Sequence, residues 1–381
     1  MSGFANDGNG NIWVTTEKEG LFRYNLETEH LDIYEKVDFK ETICSPCFYD
    51  GYLWLGSLNG LIRLELQTGK VRRYTSFATA LVEDNKCFVL YAADSGYLYV
   101  GTTLGLMKYN KATDSFVSIP EFEGKFITGI DEDSRGYMWV STYADGVYSF
   151  DPSGVDPLAC YQYPDGLPIN KLSGIFVDGR DRVWAVGFSF GFFRYDRSND
   201  AFIHFSRKNI PDLPTDVFFS AMDDRDGNLW LSSDMGMVRF NPENNEVASY
   251  TESSGILDDM MKKSVARDSL GNMYFGSQNG FIRFNPDKFY VGTTAPNIVL
   301  TDFRVGDDVV KPGPGSPLDC NVDIEDEIIL KHGQNSFGVS VSVLNMSARS
   351  SNKIMCLLEG YDTRPRTLSA DKSLFWYNVP P

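Results

Sequence analysis

The residues that could carry catalysis are few and widely spaced in this chain of 381 residues. The three histidines, His30, His204 and His332, have no partner at the spacing of a metal site or of a catalytic triad. The motifs of serine hydrolases, phosphate-binding loops and zinc proteases do not occur in the sequence, and no cofactor is expected. A pair of carboxylates could still converge from distant segments. Lyase or glycosidase chemistry therefore stays open as a less favoured alternative.

Two short stretches have spacings that are found in metal or redox sites. Of the six cysteines, Cys44 and Cys47 form a C-x-x-C pair, but there is no second pair, no nearby histidine pair and no βαβ pattern. We expect cysteines that serve packing. The turn "DDRDGN" (residues 223–228) resembles the start of an EF-hand loop, but with Gly227 as the sixth loop residue, Ser233 occupies the position of the bidentate glutamate. We expect a structural turn and no metal.

Composition argues against two further classes of protein. The formal charge is −17, from 52 acidic and 35 basic residues, so the basic surface of a nucleic-acid-binding protein is missing. No apolar run approaches the roughly 18 residues of a membrane helix, and the first ten residues lack the pattern of a signal peptide. With 14% aromatic residues and 34 glycines, the chain is expected to form short strands and many turns.

The elements that would position any functional residue come from a sevenfold repeat. An aromatic residue recurs after a turn rich in Gly and Asn, at Trp13, Trp54, Tyr99, Trp139, Trp184, Trp230 and Tyr274. Each copy has a glycine six or seven residues later, followed by two apolar residues, a position that is basic in most copies, and another apolar residue. Five copies have an aspartate six residues before the aromatic, at Asp7, Asp133, Asp178, Asp224 and Asp268. Successive aromatic residues are 40 to 46 residues apart, and repeats of this length indicate a solenoid or a propeller.

Each repeat predicts four β-strands, which make one propeller blade. The aromatic residue is expected to fill the wedge between neighbouring blades, and the aspartate to accept backbone hydrogen bonds in a turn. The basic residue is expected to be solvated or paired across strands. We therefore predict an all-β chain with a seven-bladed β-propeller over residues 1–292. Closure of the ring is left open, because only residues 1–5 can supply an inner strand for the first blade and no outer strand is visible after Phe284.

The pattern changes in the last part of the chain. The segments "NIVLTDFRV", "EIILKH", "NSFGVSVSVLNM", "NKIMCLLEGY" and "LFWYNV" read as strands with turns between them. They predict an immunoglobulin-like β-sandwich over residues 293–381 that is incomplete at its C-terminus.

The repeats resemble the two-component regulator propeller repeat, which has the form D-x-x-G-x-x-W-x-G-T-x-x-G-L-x-R-Y. The best matches are "NGNIWVTTEKEGLFRYN" (residues 9–25) and "DRDGNLWLSSDMGMVRFN" (residues 224–241). The tail is similar to the Tyr-Tyr-Tyr domain that follows such propellers, through "APNIVLTDFRV", "GSPL", "DEIILKHGQNSFGVSVSVLNM", "LLEGYD" and "NVPP" in the expected order. Two positions that are usually tyrosine are Ile354 and Cys356 here. Together these segments extend over nearly the whole chain.

This resemblance implies the sensor region of a Bacteroidetes-type hybrid two-component system. Receptors of this family also have a membrane helix, a histidine kinase and a DNA-binding response regulator, so the chain is expected to be a fragment that contacts the membrane only through a segment outside it. The resemblance further implies a periplasmic location, a homodimer, and control of transcription in response to oligosaccharides. The alternatives are a scaffold propeller that binds only protein and, less favoured, a propeller lyase or glycosidase.

The candidate ligand-binding residues lie in the loops between the second and third strands of the blades, which share a face with the linkers between blades. Tyr143, Phe188 and Phe190 are candidates for stacking on sugar rings. Polar candidates for hydrogen bonds to sugar hydroxyls are Asn59, Asp145, Asp234, Gln278 and Asn279. The linkers 165–171 and 209–216 flank the same mouth of the ring. The other interpretation of the aromatic residues is local packing, or packing against a partner.

Overall fold

Short apolar strands that alternate with Gly and Asp turns fold residues 3–284 into seven antiparallel sheets. The computed structural model describes residues 2–37, 39, 42–75, 86–164, 166–167, 169–254, 256, 264–288, 297–344, 353–369 and 373–380. The chain forms two compact units, Met1–Phe289 and Tyr290–Pro381.

The first six sheets, blades 1 to 6, have four strands each in chain order. Blades 1 to 3 comprise β1–β4 (Gly3–Asn6, Asn11–Thr15, Leu21–Asn25, Leu31–Ile33), β5–β8 (Ile43–Tyr49, Tyr52–Ser57, Gly60–Leu64, Val71–Tyr74) and β9–β12 (Cys87–Ala92, Leu98–Thr102, Leu106–Asn110, Ser115–Ser118). Blades 4 to 6 comprise β13–β16 (Ile127–Glu132, Met138–Thr142, Val147–Phe150, Ala159–Tyr161), β17–β20 (Leu172–Val177, Val183–Gly187, Phe192–Asp196, Ala201–Phe205) and β21–β24 (Phe218–Asp223, Leu229–Ser233, Gly236–Phe240, Val247–Tyr250).

Among the described residues blade 7 has three strands, β25–β27 (Val265–Arg267, Met273–Gly276, Phe281–Phe284). Single turns of 3₁₀ helix cover Pro120–Phe122, Glu252–Ser254, Pro286–Lys288, Val322–Ile324 and His332–Gln334. The prediction of an all-β chain with a seven-bladed propeller is confirmed.

The aromatic residue of each repeat lies in the second strand of its blade and fills the wedge, as predicted. Its exposed fraction is 5% for Trp13 and at most 2% in the other six copies. In five blades the ring packs against aromatic residues of the next blade. The centroid of Trp139 is 4.8 Å from that of Tyr195 in blade 5, and the centroid of Trp230 is 4.7 Å from that of Phe284 in blade 7. These contacts join blades that share no backbone ladder.

The repeat aspartate fastens the wedge residue to the turn before it. In blade 5, Asp178 Oδ1 accepts the backbone N–H groups of Arg180 and Arg182 at 3.0 and 2.9 Å. Asp178 Oδ2 accepts the indole N–H of Trp184 at 2.8 Å. The corresponding indole bonds measure 3.2 Å for Asp7–Trp13, 3.2 Å for Asp133–Trp139 and 3.0 Å for Asp224–Trp230, and the Tyr274 hydroxyl donates to Asp268 at 2.9 Å. The backbone bonds were predicted from the sequence, whereas the indole bond was not.

The basic residue of the repeat lies directly across from the wedge aromatic in the strand register. Arg63 pairs with Trp54, and Arg194 with Trp184. The guanidinium of Arg63 lies 5.6 Å from the ring centroid of Trp54 and donates to Asp114 of the next blade at 3.1 Å. The predicted cross-strand pairing is confirmed. The basic residue faces the wedge aromatic, because both faces of a blade are packed against neighbouring blades.

The ring closes between blades 7 and 1 by packing of side chains. Phe4 and Tyr24 of blade 1 contact Phe281 of blade 7, with ring centroids 5.7 and 5.6 Å apart. Arg283 of blade 7 donates to the Tyr24 hydroxyl at 3.3 Å and forms an ion pair with Glu29. The inner strand expected near the start of the chain is present as β1. No outer strand of blade 7 occurs among the described residues, so these contacts are the seam of the described ring.

The second unit contains two antiparallel sheets. Its four-stranded sheet has the order β29-β28-β30-β33 and its two-stranded sheet joins β31 and β32. These strands are β28 (Asn297–Val305), β29 (Asp308–Val310), β30 (Phe337–Leu344), β31 (Lys353–Cys356), β32 (Arg366–Ser369) and β33 (Ser373–Trp376).

The strand predicted at "EIILKH", residues 327–332, is wrong, since this segment pairs with no described strand. Ile328 and Leu330 nevertheless pack on the core around Phe303, while Ile329 is 73% exposed. Alternating apolar residues report which side chains are buried, and a strand also needs a partner for its backbone.

Asp131, in the inner strand of blade 4, connects three blades. Its Oδ2 accepts the backbone N–H of Val177 in blade 5 at 2.7 Å, and its side chain is hydrogen-bonded to Tyr91 in blade 3. Burial raises the pKa of Asp131 to about 6, although these hydrogen bonds oppose the shift. The carboxyl group is therefore protonated more readily in the folded chain than in the unfolded chain.

The aspartate of the repeat is predicted to stabilise its blade through several hydrogen bonds at once. In Asp224→Ala the indole of Trp230 and the backbone and side-chain N–H groups of Asn228 lose their acceptor, while they stay buried. We expect the free energy of unfolding of the propeller to fall by about 3 kcal/mol in urea denaturation. Asp226→Ala, at an exposed position of the same turn, is the matched control and should change it by less than about 0.5 kcal/mol. Equal losses in the two variants would contradict this role.

Asp131 is predicted to make stability depend on pH between about 4 and 6. Its carboxyl ionises near pH 4 in the unfolded chain and near pH 6 in the folded chain, so stability is lost as the pH rises through this window and the loss persists above it. The unfolding free energy of Asp131→Asn, relative to that of the unaltered protein, should therefore rise across the window by up to about 3 kcal/mol. In the control Asp196→Asn the relative unfolding free energy should stay nearly constant across this window, because hydrogen bonds from Ser198 lower the pKa of Asp196 and place its effect below about pH 4. A flat difference for Asp131→Asn would contradict the assignment.

Candidate ligand-binding site

The loops that carry the predicted site residues are held in place by a hydroxyl group at the end of the second strand. Ser57 Oγ donates to the carbonyl of Gly60 at 2.9 Å and accepts the N–H of Asn59 at 3.1 Å. Thr142 Oγ1 makes the same pair of bonds with Gly146 and Asp145, at 2.9 and 2.8 Å. In the sequence this loop structure is indicated by a Ser or Thr three or four residues before the repeat glycine. These loops are therefore short platforms with fixed backbones.

The same loops lie beside the linkers that lead into the inner strands. The N–H of Tyr143 donates to the carbonyl of Phe126 at 2.8 Å, just before β13. The N–H of Phe188 donates to the carbonyl of Lys171 at 3.3 Å, just before β17. Loop and linker thus share one face of the ring, which we call the rim face.

Four aromatic side chains form a continuous stripe on the rim face. We define the aromatic stripe as Phe88, Phe126, Tyr143 and Phe188, which come from blades 3, 4 and 5. Successive ring centroids are 5.3, 5.7 and 5.6 Å apart. Phe126 and Tyr143 are stacked with an angle of 27° between their planes, and Tyr143 is 41% exposed. An apolar surface of this kind on a rigid scaffold is typical of a binding site.

The stripe leads into the central cavity of the ring. This cavity has a volume of about 300 Å³ and is lined by the inner strands of all seven blades, with Phe88 in its wall. Ser264, also in the wall, has a buried hydroxyl group without a hydrogen-bond partner among the described residues. A cavity with few polar groups beside an aromatic surface can accept part of a small ligand.

Polar groups adjoin the stripe in blade 4. The side-chain amide of Gln162 donates to the carbonyl of Asp145 at 2.8 Å and to the hydroxyl of Tyr148 at 3.2 Å. The ammonium of Lys125 lies 5.5 Å from the ring centroid of Tyr148. Lys125 and Asp145 thus lie in the linker and the loop that carry Phe126 and Tyr143, and Gln162, directly after β16, is hydrogen-bonded to the same loop. Such a combination can orient a ligand that also stacks on the rings.

The structure brings some of the predicted site residues together and leaves the others apart. The structure brings Tyr143, Asp145 and Phe188 together on blades 4 and 5. Phe190 is 45% exposed but lies outside the stripe, and its carbonyl is hydrogen-bonded to His204 at 2.7 Å. The remaining candidates are exposed in the loops of blades 2, 6 and 7: Asn59, Asp234, Gln278 and Asn279.

Sequence reasoning missed Phe88, Phe126, Lys125 and Gln162. These residues lie in linkers and at the start of inner strands, outside the positions that define the repeat. Phe88, Lys125 and Phe126 could have been found from their position within or just before an inner strand, since every inner strand borders the central cavity. Gln162, directly after β16, has no such signal in the sequence.

The groups that could do chemistry are engaged elsewhere. Asp131 has the raised pKa typical of a catalytic acid, but it does not line the central cavity. Burial raises the pKa of Cys44 and Cys47 to about 11, so both thiols are protonated at neutral pH. In the described part of the chain, no three His, Cys, Asp or Glu side chains are grouped to hold a metal ion. The described residues also include no helix that is long and apolar enough to cross a membrane.

The chain is similar to a bacterial histidine kinase and to the extracellular domain of a bacterial two-component system. No family model matches it. It is 24% identical to the histidine kinase P4 of Formosa agariphila, over 90% of this chain and 26% of the kinase. Among solved structures, the extracellular domain of a hybrid two-component system from B. thetaiotaomicron is 22% identical and has a TM-score of 0.78, over 100% of this chain and 51% of that one. The chain thus spans about half of this solved relative and about a quarter of the kinase.

Enzymes share the propeller fold as well. Virginiamycin B lyase from Staphylococcus aureus is 16% identical and has a TM-score of 0.60, over 74% of this chain and 93% of the lyase. At this identity the likeness concerns the fold alone. The resemblance inferred from the repeats is confirmed at the level of structure: this chain has the fold of the extracellular domains of B. thetaiotaomicron hybrid two-component systems.

Proposed function

We propose that this chain is the periplasmic ligand-sensing part of a hybrid histidine kinase receptor, and that its ligand is an oligosaccharide bound on the aromatic stripe. The observation that carries the proposal is the stripe itself, four rings in contact across three blades on the face where loops and linkers meet. The similarity to extracellular domains of two-component systems supports the sensor role.

An oligosaccharide matches the chemistry of the stripe. A sugar ring has an apolar face of C–H groups, which gains free energy when aromatic carbon covers it, and an edge of hydroxyl groups, which require hydrogen-bond partners. The stripe offers the first, and Asp145 and Gln162 offer the second. Because the rings follow one another at about 5 to 6 Å, an extended ligand can contact several of them in succession.

The stripe also suggests how binding can become a signal. Phe88, Phe126 and Phe188 belong to three blades that share no backbone ladder. A ligand that touches all three favours the blade arrangement in which the rings are best aligned, and a receptor needs only such a difference in free energy between two arrangements. In the longer protein this bias would pass through the second unit to a homodimeric kinase that controls transcription.

The stripe is predicted to supply most of the affinity. Binding would be found first by thermal stabilisation across an oligosaccharide panel and then measured by calorimetry. Tyr143→Ala and Phe188→Ala should each weaken binding by roughly tenfold, about 1.4 kcal/mol. Phe190→Ala removes a ring from the same loop but not from the stripe, and should change affinity by less than about twofold.

Two results would contradict the proposal. One is the absence of binding by any member of a broad panel. The other is a larger loss for Phe190→Ala than for Phe188→Ala, with urea unfolding showing both variants folded. Turnover of a glycan, abolished by exchange of one carboxylate, would instead favour the lyase or glycosidase alternative. Binding of proteins alone would favour the scaffold.

A further inference from the structure

Lysines accompany the aromatic stripe around the rim. Lys86 immediately precedes β9, Lys171 immediately precedes β17, and Lys125 precedes Phe126 and β13. The corresponding residues before the inner strands of blades 1, 2 and 6 are Ser2, Thr42 and Val217. Each of the three blades of the stripe therefore has a lysine just before its inner strand, and blade 7 has Lys263 two residues before β25. The formal charge of the whole chain is −17.

Lys171 is joined to the stripe through the backbone. Its carbonyl accepts the N–H of Phe188 at 3.3 Å, which holds the two residues side by side, and its side chain is exposed. The ammonium group of such a lysine can extend over a ligand that covers Phe188, because its stem has four carbons and bends freely.

Lys125 is joined to the stripe through the chain itself. It directly precedes Phe126, which stacks on Tyr143. Its ammonium lies 5.5 Å from the ring centroid of Tyr148, whose hydroxyl accepts the amide of Gln162 at 3.2 Å. Lys125 thus adds a positive charge to the group of polar side chains that borders the stacked pair.

Neither ammonium is neutralised within the described part of the chain. No described carboxylate lies within 4.0 Å of the Nζ atom of Lys125 or Lys171. The cationic groups in the wedges between blades are neutralised by ion pairs, since Arg63 pairs with Asp114 and Arg283 pairs with Glu29. The acidic residues of the same loop and linker include Asp145, Glu121 and Glu123, whose charges would oppose an anionic ligand.

We infer that the ligand of the rim is an acidic oligosaccharide, with sugar rings on the aromatic stripe and uronate carboxylates paired with Lys125 and Lys171. The inference rests on the proposed function and narrows it to one class of glycan. A charge-assisted hydrogen bond to a carboxylate is about twice as strong as a neutral one, so the lysines would select uronates over neutral sugars. They would also give binding a dependence on ionic strength.

The test compares acidic oligosaccharides with their own carboxyl-reduced forms. Oligogalacturonate, oligomannuronate and a hyaluronan tetrasaccharide serve as probes, because reduction of each carboxylate to an alcohol keeps the linkages and removes the charge. Calorimetry with the full chain should give an affinity for at least one acid roughly tenfold above that for its reduced form at low salt. This preference should shrink when the salt concentration rises to about 0.3 M.

Variants separate the charge from the stripe. In Lys125→Met/Lys171→Met the preference for the acid should disappear while binding of the reduced form is kept. Lys18→Met is the control, an exposed lysine in the loop between β2 and β3 of blade 1, and should leave the preference intact. Asp145→Asn should raise the affinity for the acid.

Each failure has a distinct meaning. If the reduced or neutral sugars bind as well as the acids, or if the double variant keeps the preference, the inference of an acidic ligand is overturned and the proposed function stands. If neither the acids, their reduced forms nor any neutral oligosaccharide binds, the proposed function fails and this inference falls with it.

Discussion

The structure depends on the burial of one large aromatic ring in the wedge between each pair of blades. Neighbouring blades share no backbone ladder, so packing of side chains holds the ring together. The rings of Trp139 and Trp230 reach partners in the following blade at centroid distances below 5 Å. In five blades an aspartate fixes this ring by accepting its N–H or O–H group together with backbone N–H groups of the preceding turn. Both oxygens of the carboxylate thus take part in structural hydrogen bonds.

Blades 2 and 3 hold their wedge aromatic without the repeat aspartate. In blade 2 the indole of Trp54 donates to the carbonyl of Tyr49 at 3.2 Å, and in blade 3 the position of the aspartate is Ala93 and the wedge residue is Tyr99. Blade 3 is also where the aromatic stripe begins. The wedge contacts set the rotation between blades, and that rotation decides which loops meet. The rim is therefore a consequence of the same contacts that close the ring.

Much of the fold could be predicted from the sequence because each defining residue of the repeat has a role in local structure. A glycine, an aspartate and an aromatic residue at fixed spacing specify a turn and a wedge without knowledge of distant parts of the chain. The candidate site was predictable only in part. Spacing identified the loops that carry Tyr143 and Phe188, but it could not distinguish Phe188 from Phe190, which lie in one short loop and face different surroundings. Phe88 and Phe126 join the stripe only through the placement of neighbouring blades, which no local spacing encodes. The strand predicted at "EIILKH" was wrong for a related reason, since strand pairing depends on two segments and the sequence of one does not specify it.

The central claim is that the rim of blades 3 to 5 is the place where the ligand acts. Hydrogen–deuterium exchange of the chain with and without a saturating oligosaccharide tests it most directly. The amides of Tyr143 and Phe188 donate to the carbonyls of Phe126 and Lys171, so a bound ligand should slow their exchange and that of the adjoining linkers. The account predicts protection concentrated there. Protection confined to the aspartate turns on the opposite face, or to the second unit, with these amides unchanged by a ligand that demonstrably binds, would contradict it.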